Sequence, residues 1–483
     1  MNAPLRRLSV AVMLLFGLLL VNANYLQVVR ADALHHDSNN PRLIAEEYSR
    51  ERGPILVAGQ PVASSRETDD RLKYLREYSA GKLYSPATGF YSLVYGASGI
   101  EQEESSVLAG TDDSLFVRRV IDLLTGASPK GGSVALTLDP KAQKAAYDGL
   151  AGRKGAVVAI DPGTGAILAL VSSPSYDPNL LASHSPADVR RNYKRLDSAK
   201  ARPMLNRALR QTYPPGSTFK VVTTAAALES GRYTPDSEVN NDAELDLPQT
   251  DAMLPNYDGA PCSPSGRATL TDALKKSCNA AFGQVGLDLG DDALRDQAEK
   301  FGFNQSFEVP MRSVASRFPE DPNEPQTAQS AIGQFDVRAT PLEMALVVAA
   351  VANRGVLMAP YLVHEVQAPD LSVIDSARPR EIGTAVSPQT AASMAQMMTA
   401  VVDDGTGTNA QINGVKVAGK TGTAQQGAGR KPHAWFVSFA PSDTDAKVAV
   451  AVVLEDGGGA AEVSGNQLAA PIAQAVMRAV LER

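Results

Sequence analysis

The chain has 483 residues, of which 44% are hydrophobic and 20% are charged, and its formal net charge is −7. That length suggests two or three domains, with enough apolar residues for a large core. The negative charge argues against a nucleic-acid partner, because phosphate binding needs a basic surface. The five His are scattered and the two Cys have no metal-ligand spacing, so we expect neither a metal ion nor another cofactor.

Residues 8–29 form an apolar run that follows two arginines and is purest up to Val21. At about 20 residues the run is long enough to cross a bilayer as a helix. The preceding positive charges predict a cytoplasmic tail at residues 1–7 and an extracytoplasmic location for everything after the run. A signal peptide cleaved near residues 31–33 is the alternative. We favour an uncleaved single-pass anchor in the cell membrane, because the apolar stretch is longer than that of a signal peptide.

The segment from residue 30 to residue 150 is polar and irregular, with one helix expected at Asp113–Thr125. About 120 residues are few for a second enzyme domain but sufficient for a non-catalytic pedestal or docking domain. The pattern changes at Gly155, where β-rich runs begin. We therefore assign residues 151–483 to one larger domain.

The larger domain opens with two strand-like runs, Ala156–Ile160 and Ile167–Ser172, whose turn-forming connection predicts a hairpin. A later helix is expected to start at the N-cap Thr340, with Glu343 closing a capping box. The other predicted elements are helices at Ser217–Glu229, Leu270–Lys276 and Asn466–Arg483, and strands at Val415–Ala418, Ala434–Phe439 and Lys447–Leu454. Two strands before the helices and three after them predict an α+β architecture, a five-stranded antiparallel sheet flanked by helices.

Cys262 and Cys278 are the only cysteines. In an exported chain such a pair is a candidate disulfide. Two reduced, buried thiols are the alternative.

Ser217 and Lys220 stand three residues apart, which places them on one face of the predicted helix. A serine hydroxyl becomes a strong nucleophile only when a neighbouring base takes its proton, and the lysine amine can reach it. The breaker at residues 214–216 puts the serine at the helix N-terminus, where free N–H groups stabilise an oxyanion. The same spacing recurs at Ser79–Lys82, but no breaker positions that serine, so we interpret this copy as structural.

Ser277 and Asn279 form a Ser-x-Asn pattern directly after a predicted helix. A second hydroxyl can relay a proton, and an asparagine amide can orient a substrate amide. The pattern alone is unspecific, because it recurs at Ser38 and Ser464, where polar loops explain it.

The segment Lys420–Thr423, with the sequence Lys-Thr-Gly-Thr, continues the strand predicted from Val415. On a strand, its lysine and glycine share one face and its threonines share the other. The glycine lets a substrate backbone approach closely, the lysine adds positive potential, and threonine hydroxyls can hold a carboxylate. An ordinary strand end would explain this segment alone, but the order SxxK, SxN, KTG is specific for an active site.

In this order the motifs resemble those of the penicillin-binding proteins and serine β-lactamases. Arg52–Leu56 and Gly89–Gly96 resemble the N-terminal region of the monofunctional class B members. Other resembling stretches are Thr137–Asp139, Asp161–Gly165, Ser173–Asn179, Ile332–Gln334, Thr340–Pro341, Ala418–Ala424 and Ala434–Phe436. The resemblance implies a penicillin-binding transpeptidase fold, with a helical subdomain beside the sheet and a smaller N-terminal domain.

The resemblance implies a peptidoglycan D,D-transpeptidase that crosslinks stem peptides ending in D-Ala-D-Ala. Ser217 would attack the carbonyl between the two D-alanines with Lys220 as base, and β-lactams would acylate Ser217 and remain there. Backbone N–H groups of Ser217 and Thr423 would form the oxyanion hole. The remaining implied site residues are Ser277 and Lys420 as the proton relay, and Asn279, Thr421, Gly422 and Thr423 as binders of the peptide.

Three alternatives remain open from sequence. A D,D-carboxypeptidase differs only in using water as acceptor, and a β-lactam hydrolase needs fast deacylation, against which the anchor and the N-terminal segment argue. The chain could also act chiefly as a scaffold that recruits elongation or division proteins.

Some neighbouring residues are expected to be structural. Trp435, Val437 and Phe439 alternate on one strand face, which predicts core packing. His433 is expected at the rim of the site and Gly457–Gly459 in a flexible loop. Phe335 stands where many relatives carry glycine, so the local turn is expected to differ.

Overall fold

The computed structural model describes residues 2–30, 47–115, 130–427, 429–460 and 463–482. Its strands are β1 (Ile55–Val57), β2 (Gln60–Glu67), β3 (Tyr74–Tyr78), β4 (Tyr91–Ser92), β5 (Gly96–Ala97), β6 (Ser133–Leu136), β7 (Gly155–Ile160), β8 (Ile167–Ser173), β9 (Glu238–Val239), β10 (Glu244–Asp246), β11 (Met253–Pro255), β12 (Ala268–Thr269), β13 (Val356–Met358), β14 (Val363–Gln367), β15 (Val373–Ser376), β16 (Glu381–Thr384), β17 (Ala418–Ala424), β18 (His433–Ala440) and β19 (Val448–Leu454). Its helices are α1 (Asn2–Asn24), α2 (Gly81–Thr88), α3 (Ile100–Glu103), α4 (Ser105–Leu108), α5 (Pro140–Leu150), α6 (Asn179–Ala182), α7 (Pro186–Asp197), α8 (Arg207–Arg210), α9 (Lys220–Glu229), α10 (Leu270–Lys276), α11 (Asn279–Leu289), α12 (Asp291–Phe301), α13 (Glu324–Ala331), α14 (Pro341–Ala352), α15 (Pro388–Asp403), α16 (Gly465–Leu468) and α17 (Ala470–Leu481).

The N-terminal apolar run forms helix α1, which a π-helical turn at Tyr25–Val29 extends. Residues Ala3–Val28 have a mean hydropathy of 1.9, and 0% of their most apolar stretch is buried in the rest of the protein. This helix is long and apolar enough to cross a membrane, although an N-terminal signal sequence meets the same criterion. It is therefore consistent with a single-pass anchor.

The predicted five-stranded antiparallel sheet is confirmed, in the order β17-β18-β19-β7-β8. Two of its strands precede the helices and three follow them, as the sequence indicates. One strand differs from its prediction, because β17 begins at Ala418 rather than Val415 and runs to Ala424. The Lys-Thr-Gly-Thr segment thus lies on the edge strand, as predicted. The final helix is also divided, into α16 and α17.

Both faces of this sheet are buried, which explains why its strands are apolar throughout rather than alternating. Val157 and Phe436 face one core, where α5 and α17 cover the sheet. Their chain neighbours Val158 and Trp435 face a second core that contains α14. The sheet therefore separates a helical layer behind it from the helices in front of it, which carry the candidate site.

Helix α14 begins as predicted at Thr340, whose side chain accepts the N–H of Glu343. The second half of the expected capping box does not form. Glu343 is only 1% exposed, because this helix is buried nearly all round and its first turn packs into the core. Burial raises the pKa of the Glu343 carboxyl well above its usual value.

A second sheet has six strands in the order β15-β14-β6-β1-β2-β3. Strand β6 pairs in parallel with β1 and antiparallel with β14. Strands β14 and β15 come from residues 363–376, so the chain returns to this sheet long after residue 150. Helix α5 ends at residue 150 but packs against α17 and β8 of the five-stranded sheet. The two sheets are therefore interleaved along the chain. Only the 3-10 turn Asp113–Leu115 of the helix predicted at Asp113–Thr125 lies within the described residues.

A buried charge cluster holds the N-terminal sheet to its short helices. Glu101 is 0% exposed and accepts from Arg52 at 2.7 Å and from Arg76 at 2.6 Å. Burial alone would raise the pKa of Glu101, but Arg76 and Arg52 hold it below its usual value. The Tyr78 hydroxyl donates to the same carboxylate at 3.0 Å. One carboxylate thus compensates two buried guanidinium groups.

We expect Glu101→Ala to destabilise the protein by about 3–5 kcal/mol, because it leaves Arg52 and Arg76 buried without a counter-ion. Thermal or urea unfolding of both proteins measures the loss. Glu77→Ala is the matched control, since Glu77 pairs with Arg66 at the surface and should cost less than about 1 kcal/mol. Equal losses in the two variants would contradict the account.

Candidate active site

Ser217 lies in a 3-10 turn at Gly216–Phe219 that leads into α9. The Trp435 indole N–H donates to the Pro214 carbonyl at 3.0 Å, which fixes the breaker against β18. Gly216 has φ +54, a backbone conformation that favours glycine. Its N–H donates to the Gly333 carbonyl at 2.9 Å. The turn that presents the serine is therefore held from two sides.

Two glycines permit this close packing. A Cβ on Gly333 would lie 2.2 Å from the Gly216 carbonyl oxygen, and one on Gly422 would lie 2.9 Å from Thr218 Cγ2. Gly333 also has φ +72. The Ile-Gly-Gln and Lys-Thr-Gly stretches therefore owe their glycines to contacts with the turn that carries Ser217.

Ser277 lies between the two buried lysines. Its hydroxyl accepts from Lys420 Nζ at 2.7 Å and is 3.5 Å from Lys220 Nζ. Lys220 Nζ also donates to the Ser277 carbonyl at 2.7 Å and to Asn279 Oδ1 at 2.8 Å. Ser277 has φ +65 as the residue after α10, a strained conformation for a residue with a Cβ. That strain turns both its hydroxyl and its carbonyl toward the lysines.

The two lysine side chains are 0% exposed, and this burial lowers the pKa of both amines. Burial, and secondarily the charge of Lys420, lower the pKa of Lys220 well below its usual 10.5. Burial lowers the pKa of Lys420 to about 7. A neutral Lys220 has two N–H groups, which match its two short hydrogen bonds, and a free lone pair. This arrangement suits a general base.

The direct contact between Lys220 and Ser217 that the sequence suggests is not present. Within the described part of the chain, no hydrogen bond joins Lys220 Nζ to Ser217 Oγ. The amine instead points toward Ser277 and Asn279, on the opposite wall. Contacts of this kind commonly tighten only when a substrate is bound.

A residue that sequence reasoning missed supports the Ser-x-Asn loop. Asn256 is 6% exposed, and its Oδ1 accepts the N–H groups of Asn279 and Ala280 at 2.7 and 3.0 Å. A disulfide joins Cys262 to Cys278, so the loop that carries Asn256 is tied to the middle residue of the motif. No local pattern marks Asn256, because the loop closes over about twenty residues of chain.

Five of the predicted site residues line one cleft of about 690 Å³. The residues of the predicted set that line it are Ser217, Ser277, Asn279, Thr421 and Thr423. The Thr421 hydroxyl donates to Thr406 Oγ1 at 2.9 Å, and Thr406 is a second lining residue that the sequence did not suggest. Met253 and Tyr257 form an apolar part of the opposite wall.

The other copies of the Ser-x-x-Lys and Ser-x-Asn patterns lie in different parts of the chain. Ser79 donates to the Pro61 carbonyl in the N-terminal sheet, and it is not among the residues that line the cleft. Ser38 lies outside the described residues. Ser464 lies in a loop, as expected, and this loop lines the cleft. Its partner Asn466 is engaged with Asn409 and Thr408, so it braces a neighbouring loop.

Four residues near the cleft test the structural expectations. Trp435 and Phe439 are 0% and 1% exposed, which confirms their place in the core. His433 is not at the rim, because it is 6% exposed and packs edge-on against Tyr213 at 5.2 Å. Burial lowers the pKa of His433 to about 4. Phe335 has φ +55, so it keeps a turn conformation that glycine would adopt without strain.

Comparisons with known proteins give a consistent result. Residues 155–478 match the family described as "Penicillin binding protein transpeptidase domain", and residues 52–134 match "Penicillin binding protein A dimerisation domain". The chain is 45% identical to "Peptidoglycan D,D-transpeptidase PbpA" of Mycolicibacterium smegmatis, over 100% of this chain and 99% of the relative. It is 31% identical to "Peptidoglycan D,D-transpeptidase MrdA" of Escherichia coli, over 80% of this chain and 64% of that protein.

Solved structures show the same similarity. Penicillin-binding protein A from Mycobacterium tuberculosis, solved as a penicillin G acyl-enzyme complex, superposes with a TM-score of 0.86 at 44% identity. The match covers 90% of this chain and 100% of that chain.

Proposed function

Because the chain belongs to the penicillin-binding protein transpeptidase family and is a peptidoglycan D,D-transpeptidase, we propose that Ser217 is the residue that carries the acyl group. The observation that supports this most directly is the position of Ser217 in one cleft with Ser277, Asn279 and Thr423, beside two buried lysines of lowered pKa. Buried amines of lowered pKa are expected where proton transfer is needed at neutral pH.

The proposed acylation uses these groups in sequence. Neutral Lys220 takes the proton of Ser217 Oγ while that oxygen attacks the carbonyl between the two D-alanines. Backbone N–H groups of Ser217 and Thr423 hold the resulting oxyanion. Lys420 delivers a proton through the Ser277 hydroxyl, to which it already donates at 2.7 Å, and the C–N bond to the terminal D-alanine breaks.

Substrate binding is assigned to the same walls. Asn279 holds the peptide amide, and Thr421 and Thr423 hold the terminal carboxylate, while Gly422 lets the strand approach closely. In the free protein the Asn279 amide donates to the Pro255 carbonyl at 2.8 Å, so a bound peptide would replace that bond. A stem-peptide amine then attacks the acyl ester, forms the crosslink and frees Ser217. β-Lactams enter as substrates whose acyl-enzyme persists.

The ratio of transfer product to hydrolysis product distinguishes a transpeptidase from its hydrolytic alternatives. We expect the full chain, given a D-Ala-D-Ala donor and an amine acceptor, to form mostly the transfer product. Predominant hydrolysis of the donor would instead indicate a carboxypeptidase. Steady turnover of a chromogenic β-lactam, rather than one stoichiometric burst, would indicate a β-lactam hydrolase.

Two wider assignments follow the same proposal. Helix α1 anchors the chain once in the cell membrane, with the cleft on the outer side. Residues 30–150, which supply four strands of the six-stranded sheet, serve as the pedestal or docking domain for elongation or division proteins. Growth of cells that carry Ser217→Ala as their sole copy would reveal a scaffold role that does not need catalysis.

The pH dependence of acylation tests the lysine roles. Lys420 acts as an acid, so its active form is protonated, and the rate should fall as pH rises through about 7. Lys220 acts as a base, so the rate should also fall at acidic pH. Lys420→Arg should move the alkaline limb upward by several pH units, because a guanidinium stays charged. The second-order acylation rate constant is the measurement, and an unchanged alkaline limb would contradict this role.

A further inference from the structure

A second cavity of about 620 Å³ adjoins the cleft beyond the end of β17. Gln334, Phe335 and Gln425 line both spaces, so the two spaces are neighbours with a shared wall. Nothing in the proposed mechanism uses the second cavity.

The charges of this cavity are strongly unbalanced. Its six basic side chains against two acidic ones give a net charge of +4, on a chain whose overall charge is −7. The basic residues are Lys154, Lys200, Arg202, Arg207, Arg338 and Arg430. The excess of positive charge is local to this cavity, so the overall composition of the chain does not explain it.

Both acidic groups are already engaged on the cavity floor. Glu455 accepts from Arg207 Nε at 2.9 Å and from the Tyr213 hydroxyl at 2.8 Å. Asp456 accepts from Gln426 Nε2 at 2.7 Å. The two carboxylates are thus engaged within the cavity and do not neutralise its exposed basic side chains, Lys200, Arg202 and Arg430, which form its mouth.

The basic groups at the mouth have no such partners. Among the described residues, Lys200, Arg202 and Arg430 form no ion pair, and all three are exposed. Lys154 and Arg338 are half-buried and likewise lack an ion pair there. Unpaired cations around a concavity create a field that favours an anionic ligand.

The direction of the bound peptide connects the two spaces. In the proposed function, on which this inference rests, the terminal carboxylate lies at Thr421 and Thr423. Gln425 is four residues further than Thr421, or about 13 Å along an extended strand. A peptide that has its end at the threonines and runs along β17 toward Gln425 carries its preceding residues to the basic mouth.

We propose that the basic cavity binds a carboxylate that the donor peptide carries on the amino-terminal side of its two terminal alanines. The cavity would thereby select donors with an acidic group at that position. Carboxylates suit it because lysine and arginine side chains can approach such a group from several sides.

Acylation by two matched penicillins tests the proposal. One carries a carboxylate at the end of its acyl side chain, and the other carries the corresponding carboxamide. We expect the wild-type full chain to react about tenfold faster with the carboxylate, given three exposed charge contacts. The triple variant Lys200→Ala, Arg202→Ala, Arg430→Ala should lose this preference and retain its rate with the carboxamide.

The control removes three exposed charges from the neighbouring helix α7 instead, as Arg190→Ala, Lys194→Ala and Arg195→Ala. It should keep the wild-type preference. Absence of a preference in the wild type, an unaltered preference in the cavity variant, or an equal loss in the control would each overturn the inference. So would an effect confined to the later amine transfer, which would assign the cavity to the acceptor. Failure of both penicillins to acylate Ser217 would instead refute the proposed function.

Discussion

Replacing Ser217 by alanine is expected to abolish covalent labelling by penicillin and all transfer of acyl groups. Without the hydroxyl oxygen no ester can form, and loss of the nucleophile lowers the catalytic rate of a serine enzyme by about 10⁶-fold. The neighbouring hydroxyl of Ser277 is not a substitute, because it is already engaged by Lys420 at 2.7 Å. The rate of release of D-alanine from a D-Ala-D-Ala donor measures the loss.

The fold of this variant should be unchanged, since Ser217 Oγ makes no hydrogen bond within the described part of the chain. Its unfolding temperature should match that of the wild type. Ser79→Ala is the matched control, because Ser79 has the same spacing to a lysine but lies in the N-terminal sheet. Activity that survived in Ser217→Ala but was lost in Ser79→Ala would reverse the assignment.

Replacing Lys220 by methionine should lower the acylation rate by about 10³-fold, within the range that loss of a general base produces. Methionine keeps the length of the buried chain but cannot accept a proton. The variant should still fold, because removing a buried amine removes a desolvation cost. That gain offsets the hydrogen bonds lost to Ser277 and Asn279. Stopped-flow acylation and thermal unfolding give the two measurements.

Lys82→Met is the control for Lys220→Met, since Lys82 is the exposed lysine of the other Ser-x-x-Lys copy. It should leave acylation unchanged. A Lys220→Met variant that acylated at the wild-type rate would require another base, and Lys420 would be the next candidate.

The sheet, its strand origins and the motif-bearing elements were predictable because each depends on local sequence. Apolar strand runs, the breaker before Ser217 and the N-cap Thr340 are all short-range signals. The start of β17 was less predictable, because Val415 is as apolar as the strand itself and only pairing with β18 selects Ala418. Boundaries of this kind depend on the partner strand.

The parts of the site that could not be predicted depend on long-range contacts. Asn256 reaches Asn279 across a loop, and Thr406 reaches Thr421 from the end of another helix. The direction in which Lys220 points is set by the strained backbone of Ser277, which no spacing rule reveals. The return of strands β14 and β15 to the N-terminal sheet is equally non-local.

The position of the covalent adduct tests the central claim most directly. After the full-length protein reacts with penicillin, peptide mass spectrometry should find one adduct per chain, on the peptide that contains Ser217. An adduct on Ser277, Ser464 or Ser79 would contradict the account, because each of these serines also belongs to a Ser-x-x-Lys or Ser-x-Asn pattern.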